Sequence, residues 1–385
     1  MEKIKLLFVS TYPLDSSSSA SVRNTALLDG LVKNGVEVYS LTRTPDKKNS
    51  IQGVTEFYFS DNSNLVYNIS KKFRPKNHLM LKLRIFLSNL YSKGQIYDNQ
   101  RMLLNDLDKL VLEETNFDYI ISSSDSKVAH KIVEQLLANN RLKARKWIQY
   151  WGDPFFADIN GKKGLVKRKI FKEEDRLLNL ANIILYTSPA TVEEQKKLFS
   201  KYASKMLFIP TPFLDLREKE TNNNIINVGY FGSYFSKDRN ILPFYSAAKK
   251  LPNIQFTIMG PSNHDLKSRQ NILIKKMAER NEAVKEEDKM DLLVCIGNKG
   301  ESNQIPGKIF HYASTNKQVL VLYEKNAKDV YSYFNQYDKY IFLENNQESI
   351  LSFFENYLPK QNSPLYEFKS DRVVKDLLNK IEKFG

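Results

Sequence analysis

The stretch Gln304 to Leu322, QIPGKIFHYASTNKQVLVL, decides the fold, because it reads as a loop, a helix and a strand in immediate succession. Pro306 falls where a first helical turn tolerates a missing amide hydrogen. The helix predicted from there stops near Asn316, a residue that accepts left-handed backbone, and QVLVLY (318–323) is an apolar run suited to a buried strand. Free amides and the positive end of a helix dipole suit an anion at such a start, and Lys308 adds a full charge in the first turn. At spacings of three and seven, Lys308, His311 and Thr315 are predicted to share one helical face and look at one ligand. A plain amphipathic helix with a surface lysine has the same pattern.

Outward from this segment the chain alternates strands and helices. On the N-terminal side lie IINVGYFGS (225–233), a helix near 240–250, IQFTIMG (254–260), a helix near 264–280 and DLLVCIGN (291–298); YIFLEN (340–345) follows. An earlier series has the same rhythm: IKLLFVS (4–10), VRNTALLDGLVKNG, VEVYSLT (36–42), DYIISSS (118–124), a helix around 126–139, KWIQYWG (146–152), a helix near 166–180 and NIILYTS (182–188). Strands alternating with helices predict parallel, doubly wound sheets. The expectation is therefore an α/β chain of two Rossmann-like domains facing a central cleft, at residues 1–209 and 225–362. A helical insertion is expected at about 61–116. The linker is placed at 210–224, where two prolines, a charged run and three asparagines favour turns. A C-terminal helix over 363–385, capped at Ser370 or Asp371, is expected to pack back on the N-terminal domain.

A chain of 385 residues is long for one core, which agrees with two domains. Cys295 is the single cysteine, so no intrachain disulfide forms, and a reducing compartment is expected. The short apolar start MEKIKLLFVS reads as a first strand rather than a signal peptide. No window reaches the roughly 18 apolar residues that would span a bilayer. Residues 1–210 carry 33 Lys and Arg against 22 Asp and Glu, whereas residues 211–385 carry 25 against 22. The basic excess therefore lies in the first half, whether to meet an anion or to stay soluble.

The run NKGESNQIPGKIFHYASTNKQVL resembles the segment NxxxxQxPSKxFEYxxxGKPV of bacterial glycosyltransferases of family 4, which have the GT-B fold. The resemblance is best in the C-terminal half and looser over the strand order of the whole chain. It implies a donor site in which Asn298, Asn303, Gln304, Ile305, Gly307, His311 and Thr315 meet a nucleotide diphosphate sugar and Lys308 contacts phosphate. Three positions depart from the pattern. His311 stands where the family has the acid that accepts from ribose hydroxyls, and a neutral imidazole accepts one such bond. Asn303 stands where many members have a glutamate for the hexose, and Asn316 replaces the usual glycine.

Further motifs follow other strands. FGSYFSKDRN (231–240) resembles the family's pyrophosphate stretch; Ser233 replaces its arginine, and Arg239 falls near its lysine and can bind phosphate bidentately. Lys237 and Arg239 also read as solvated charges beside Asp238. In YWGDPFFADI (150–159), Asp153 stands near the family's histidine, where apolar neighbours would raise its carboxyl pKa and suit it to the sugar or the acceptor hydroxyl. Asp-Pro equally suits a helix cap. In the first loop, Ser16, Ser17, Ser18 and Ser19 replace the family's glycines and offer donors to phosphate, and Arg23 is a candidate anion ligand. Gly260 ends a strand where relatives place the base against backbone.

Two basic stretches, Lys71–Arg84 and Lys162–Lys172, interleave apolar residues without an acid; they suit an anionic membrane surface, and a solvated face reads equally from them. No nucleic-acid signature appears, so no nucleic-acid partner is expected. Histidines and the cysteine are scattered without metal spacing, so neither metal nor cofactor is expected. The resemblance implies a hexosyltransferase that uses a nucleotide diphosphate sugar and a lipid-linked or polymeric glycan acceptor, retains configuration, and works in the cytoplasm or on the inner face of the membrane. Two alternatives remain: an inactive partner of that shape, and an epimerase, which needs cleft carboxylates.

Overall fold

The computed structural model describes residues 3–16, 18–45, 51–59, 94–124, 126–159, 161–220, 225–300 and 302–384. The chain divides into two compact units, Met1–Thr187 with Val192–Ile209 and Val374–Gly385, and Pro210–Val373 with Ser188–Thr191.

The first unit is built on a seven-stranded parallel sheet: β1 (Lys5–Val9), β2 (Glu37–Thr42), β3 (Val54–Tyr58), β4 (Asn116–Ser123), β5 (Lys143–Trp151), β6 (Ile183–Tyr186) and β7 (Met206–Phe208). The spatial order is β3-β2-β1-β4-β5-β6-β7, so the order reverses between β1 and β4. At that switch Leu6 pairs with both Val38 and Tyr119. Its helices are α1 (Ser19–Lys33), α2 (Val128–Ala138), α3 (Leu165–Leu180) and α4 (Pro189–Leu198). Ser18 caps α1 by accepting from the Ser21 amide, and Ala26, Leu27, Leu28 and Leu31 are buried along that helix.

The second unit holds a six-stranded parallel sheet: β8 (Asn227–Phe231), β9 (Gln255–Met259), β10 (Ile272–Lys275), β11 (Leu292–Ile296), β12 (Gln318–Tyr323) and β13 (Tyr340–Glu344). Its order, β10-β9-β8-β11-β12-β13, repeats the same reversal, between β8 and β11. The helices are α5 (Leu242–Ala248), α6 (Arg280–Asp288), α7 (Gly307–Tyr312) and α8 (Gln347–Glu355); α9 (Ser370–Lys383) starts here and from Val374 onward belongs to the first unit. Central strands such as β11 are buried throughout, as parallel strands covered on both faces must be. Two doubly wound Rossmann-like sheets are thus what the alternation predicted. Open sheets of this kind bind ligands outside the strand carboxyl ends at the reversal.

Several elements differ from the sequence expectation. The helix predicted near 264–280 is absent; Ile272–Lys275 forms β10, with Ile272 paired to Phe256, and the helix starts later, at Arg280. Two edge strands, β3 and β7, carried too little signal, because β3 is half-exposed and β7 has three residues. Most of the expected insertion at about 61–116 lies outside the described residues; within it Asn99–Lys109 winds as a 3-10 helix. The segment expected as a linker is packed into the second unit as far as residue 220 is described. Phe213 is buried and its amide donates to Phe368, and the Arg217 amide donates to Ser314. In α9, Val374, Leu377 and Ile381 are buried and Lys146 donates to the Ile381 carbonyl at 3.0 Å.

Candidate functional site

In the second unit the loops that leave β8, β9 and β11 are laced together. The Gly232 amide donates to Met259, the Tyr234 amide to Pro261, and the Lys299 amide to Asp238. Lys299 Nζ adds a bond to the Ser236 carbonyl at 2.7 Å. Gly260 has φ +150°, and a Cβ there would stand 2.0 Å from the Gly232 carbonyl oxygen, so the close approach of two loops explains this glycine.

Ser233 and Arg239 are brought together. Arg239 Nη1 donates to the Ser233 carbonyl at 3.0 Å and to its Oγ at 3.1 Å, and Tyr230 donates to the same carbonyl at 2.7 Å. Arg239 is half-buried whereas Lys237 is exposed, so of the two only Lys237 fits the solvated reading. Burial pushes the Cys295 thiol up to about 11, while Arg239 and Lys308 both pull it down. Cations from the β8 and β11 loops therefore act on one strand position.

In the loop after β11, Asn298 Nδ2 donates to the Gln304 carbonyl at 3.1 Å. Gln304 is 8% exposed, and its Nε2 is buried without a hydrogen-bond partner among the described residues. The Asn303 carbonyl accepts from Ser188 and Thr191 hydroxyls at 2.7 and 3.0 Å. Ile305 and Gly307 flank Pro306, which caps α7.

Around α7 the arrangement departs from expectation. The helix is six residues long, so Thr315 lies beyond it, fully buried, its hydroxyl donating to the Tyr312 carbonyl at 2.9 Å. It does not share a ligand-facing surface with Lys308 and His311. Lys308, in turn, is already paired: Nζ is 2.5 Å from Oε1 of Glu287, a carboxylate of α6 with no solvent exposure. The other oxygen of Glu287 faces Arg217 Nη1 at 2.8 Å and His311 Nε2 at 3.2 Å. Arg217 also reaches Asp288 at 2.6 Å, Lys219 contacts Asp288 at 3.1 Å, and Arg280 lies within the field of Glu287. Burial would raise the Glu287 carboxyl, but Lys308, His311 and Arg217 hold it well below the usual range. His311 moves to about 4, since burial outweighs the attraction of Glu287, and its imidazole is neutral at neutral pH. Lys308, Arg217, Lys219 and Arg280 against Glu287, Asp288 and the nearby Asp215 make four cations against three carboxylates. Sequence reading missed Glu287, although the acidic run Glu286–Asp288 directly ahead of an apolar strand was a visible sign.

In the first unit, Arg23 projects from α1 over the Tyr150 ring at 4.9 Å and reaches Ser123 Oγ at 3.4 Å. A Cβ on Gly152 would meet its guanidinium at 2.2 Å, so glycine makes room for the arginine beyond β5. Ser16 and Ser18 bond one another at 3.0 Å, and Ser16 and Ser21 at 2.6 Å, while Ser18 and Ser19 begin α1. Those hydroxyls organise the loop; Ser17 lies outside the described residues.

Asp153 is exposed, and no helix opens at Asp-Pro because α3 begins at Leu165. The loop instead turns onto the buried Glu174, which accepts from the Phe155 and Phe156 amides at 3.1 and 2.7 Å. Burial raises that carboxyl to about 7, the two amides opposing. Among the described residues no group of three or more His, Cys, Asp or Glu could hold a metal ion, and no helix is long and apolar enough to cross a membrane.

No family model matches the chain, and no curated protein matches it by sequence. Solved structures do match by shape. A glycosyltransferase from Rickettsia africae ESF-5 superposes with TM-score 0.60 at 14% identity, covering 100% of this chain and 99% of the other. The catalytic domain of starch synthase IV from Arabidopsis thaliana, bound to ADP and acarbose, gives 0.61 at 10% identity over 100% and 99%. The lipopolysaccharide outer core galactosyltransferase WaaB in its apo form gives 0.54 at 10% over 99% of both chains. At such identities the likeness concerns architecture: the fold is that of the GT-B glycosyltransferases.

Proposed function

We propose that the chain is a glycosyltransferase that moves a hexosyl group from a nucleotide diphosphate sugar to a lipid-linked or polymeric glycan, with retained configuration. The observation that carries the reading is the placement of Arg239 in the loop that leaves β8 and of Lys308 in the first turn of α7 after β11, β8 and β11 being the strands that flank the reversal of the second sheet. Gln304 Nε2, buried on the loop that leads into α7 and without a partner among the described residues, is a donor awaiting an acceptor, which buried amides rarely lack. The shape likeness to a starch synthase domain solved with ADP supports a nucleotide at such a site.

Chemically, the task is to neutralise a diphosphate leaving group. Arg239, oriented by Ser233, offers a planar fork, and Lys308 an ammonium steered by Glu287. The departing diphosphate on the same face then accepts the acceptor's proton, so no separate strong base is needed and Asp153 has no required part. Leu165, 76% exposed between exposed Lys163, Lys167 and Arg168, supports a peripheral contact with an anionic membrane; Lys71–Arg84 lies outside the described residues. Salt-sensitive co-sedimentation with anionic vesicles tests that contact, and its absence removes it.

Calorimetric titration with a panel of UDP-, GDP- and ADP-sugars tests the main reading. Binding of at least one, weakened by about 1.5–3 kcal/mol in Arg239→Ala, is expected; no binding at millimolar concentration, or an unchanged affinity, sinks it. A second reading, an inactive partner of another transferase, is favoured by the prior engagement of Lys308 with Glu287 and by His311 in the place of an acid. Binding without turnover of any donor would select it.

A further inference from the structure

The first unit contains a cavity of about 760 Å³ that no step above uses. Its walls come from residues 96–101, the start of α2, the loop beyond β5 and the segment that leads into α3. The charged lining is Arg101, Lys127, Lys162 and Lys163 against Asp98 and Asp158. Both acids have other donors: Lys127 lies 3.4 Å from Asp158, and Asp98 accepts from the Gln100 amide at 2.9 Å and from Ser126 Oγ at 2.8 Å.

Lys162 does not extend into solvent as a membrane-facing lysine would; its Nζ folds inward onto the Gln95 carbonyl. Burial, and then the neighbouring Arg101, lower its pKa, so two like charges are gathered in a partly desolvated place. Asp98 opposes that shift, and the four cations of the lining outnumber its two carboxylates, which suits the cavity to an oxyanion. The apolar part of the wall is made of Ile96, Phe155, Ile170 and the ring of Tyr97. The Tyr97 and Phe155 rings meet at 5.5 Å, and the Tyr97 hydroxyl is fixed to Glu173 at 2.6 Å, so this wall is rigid.

We propose that this cavity binds the diphosphate end of an acceptor ester, with the oxygens on Arg101, Lys162 and Lys163 and the organic substituent along Tyr97 and Phe155. The assignment rests on the transferase reading above and gives the acceptor to the first unit. It replaces a diffuse basic surface with a defined anion site for part of Lys162–Lys172. The ester comes from a lipid carrier or from a soluble sugar diphosphate, and the chemistry of recognition is the same.

The test is hydrogen exchange and titration calorimetry of the full chain with farnesyl diphosphate and with inorganic pyrophosphate. Farnesyl diphosphate is expected to protect amides at 96–101 and 161–170, and Arg101→Gln/Lys162→Gln to raise its Kd at least about tenfold. Lys163→Glu, exposed and without packing to lose, keeps the test decisive if the double variant fails to fold, and should weaken binding as well. Tighter binding of farnesyl diphosphate than pyrophosphate supports a lipid source, and equal binding a soluble one. Absent protection at both segments, or a Kd within about twofold of wild type in every variant, overturns the site. Nucleotide-sugar titration of the same protein separates the two readings. Loss there with farnesyl diphosphate retained refutes the proposed donor chemistry alone; the reverse refutes this cavity alone.

Discussion

Replacing Glu287 with glutamine is the most searching perturbation of the cluster beneath Lys308. The carboxylate is inaccessible to solvent; it accepts from Lys308 on one oxygen at 2.5 Å and from Arg217 on the other at 2.8 Å, where His311 Nε2 also lies at 3.2 Å. Glutamine keeps the volume but turns one acceptor into a donor that faces an ammonium or a guanidinium. Hydrogen bonds to charged groups contribute about 1.5–3 kcal/mol each. Lys308 is 38% exposed, so water screens its share, and Arg217 retains Asp288. The net loss is therefore about 2–4 kcal/mol, below the full cost of stranding a buried charge. For a unit of this size that lowers the melting temperature by about 5–12 °C in scanning calorimetry near neutral pH. Glu287 is held below its unfolded value of 4.5, so its contribution is complete above that pH and fades as pH falls through the folded value. The gap between wild type and Glu287→Gln should narrow in acid. A shift under about 2 °C, or a gap that widens below pH ~4.5, would refute the account of this cluster.

The His311 imidazole, at about 4 against 6.5 when unfolded, contributes stability that is complete above pH 6.5 and lost toward pH 4. Wild type should lose about 2–3 kcal/mol over that range in urea titrations, and His311→Gln should lack this limb; parallel profiles would contradict the assignment. Gly260→Ala drives a Cβ to 2.0 Å from the Gly232 oxygen, so about 2–4 kcal/mol of stability should go, and an unshifted midpoint would mean that the loops part freely. His311→Glu should be destabilising alone and largely rescued by Glu287→Gln, with a coupling of about 1–3 kcal/mol in a double-mutant cycle; additive effects would sink the link between the two positions.

The parallel sheets were legible because buried strands such as LLFV and LLVCI declare themselves by continuous apolarity, and glycine and proline mark their ends. Edges were not: Ile272–Lys275 is a strand because β9 lies beside it, a long-range fact that no local pattern carries. Within the site, Ser233 and Arg239 were legible as two positions of one loop motif, but not their contact, which the loop makes across six positions. The partnership of Lys308 with Glu287 spans 21 residues and joins two helices, one of which had been expected to end where it begins. Thr315 failed for a shorter-range reason, since helical periodicity was extended past the turn at Ala313.

The departure at position 311 follows from that partnership. His311 Nε2 lies 3.2 Å from the Glu287 carboxylate, which Lys308 and Arg217 already share. An acid at 311 would place a further carboxylate against Glu287 inside a buried cluster, where like-charge repulsion opposes its ionisation. A neutral imidazole removes that conflict, and it can donate to Glu287 through Nε2 or accept there from Arg217, but not both at once. In the first tautomer Nδ1 becomes an acceptor, the function that a ribose hydroxyl requires; in the second it becomes a donor. The choice that Glu287 and Arg217 impose on one proton therefore decides whether His311 Nδ1 can accept, as the proposed donor site would require.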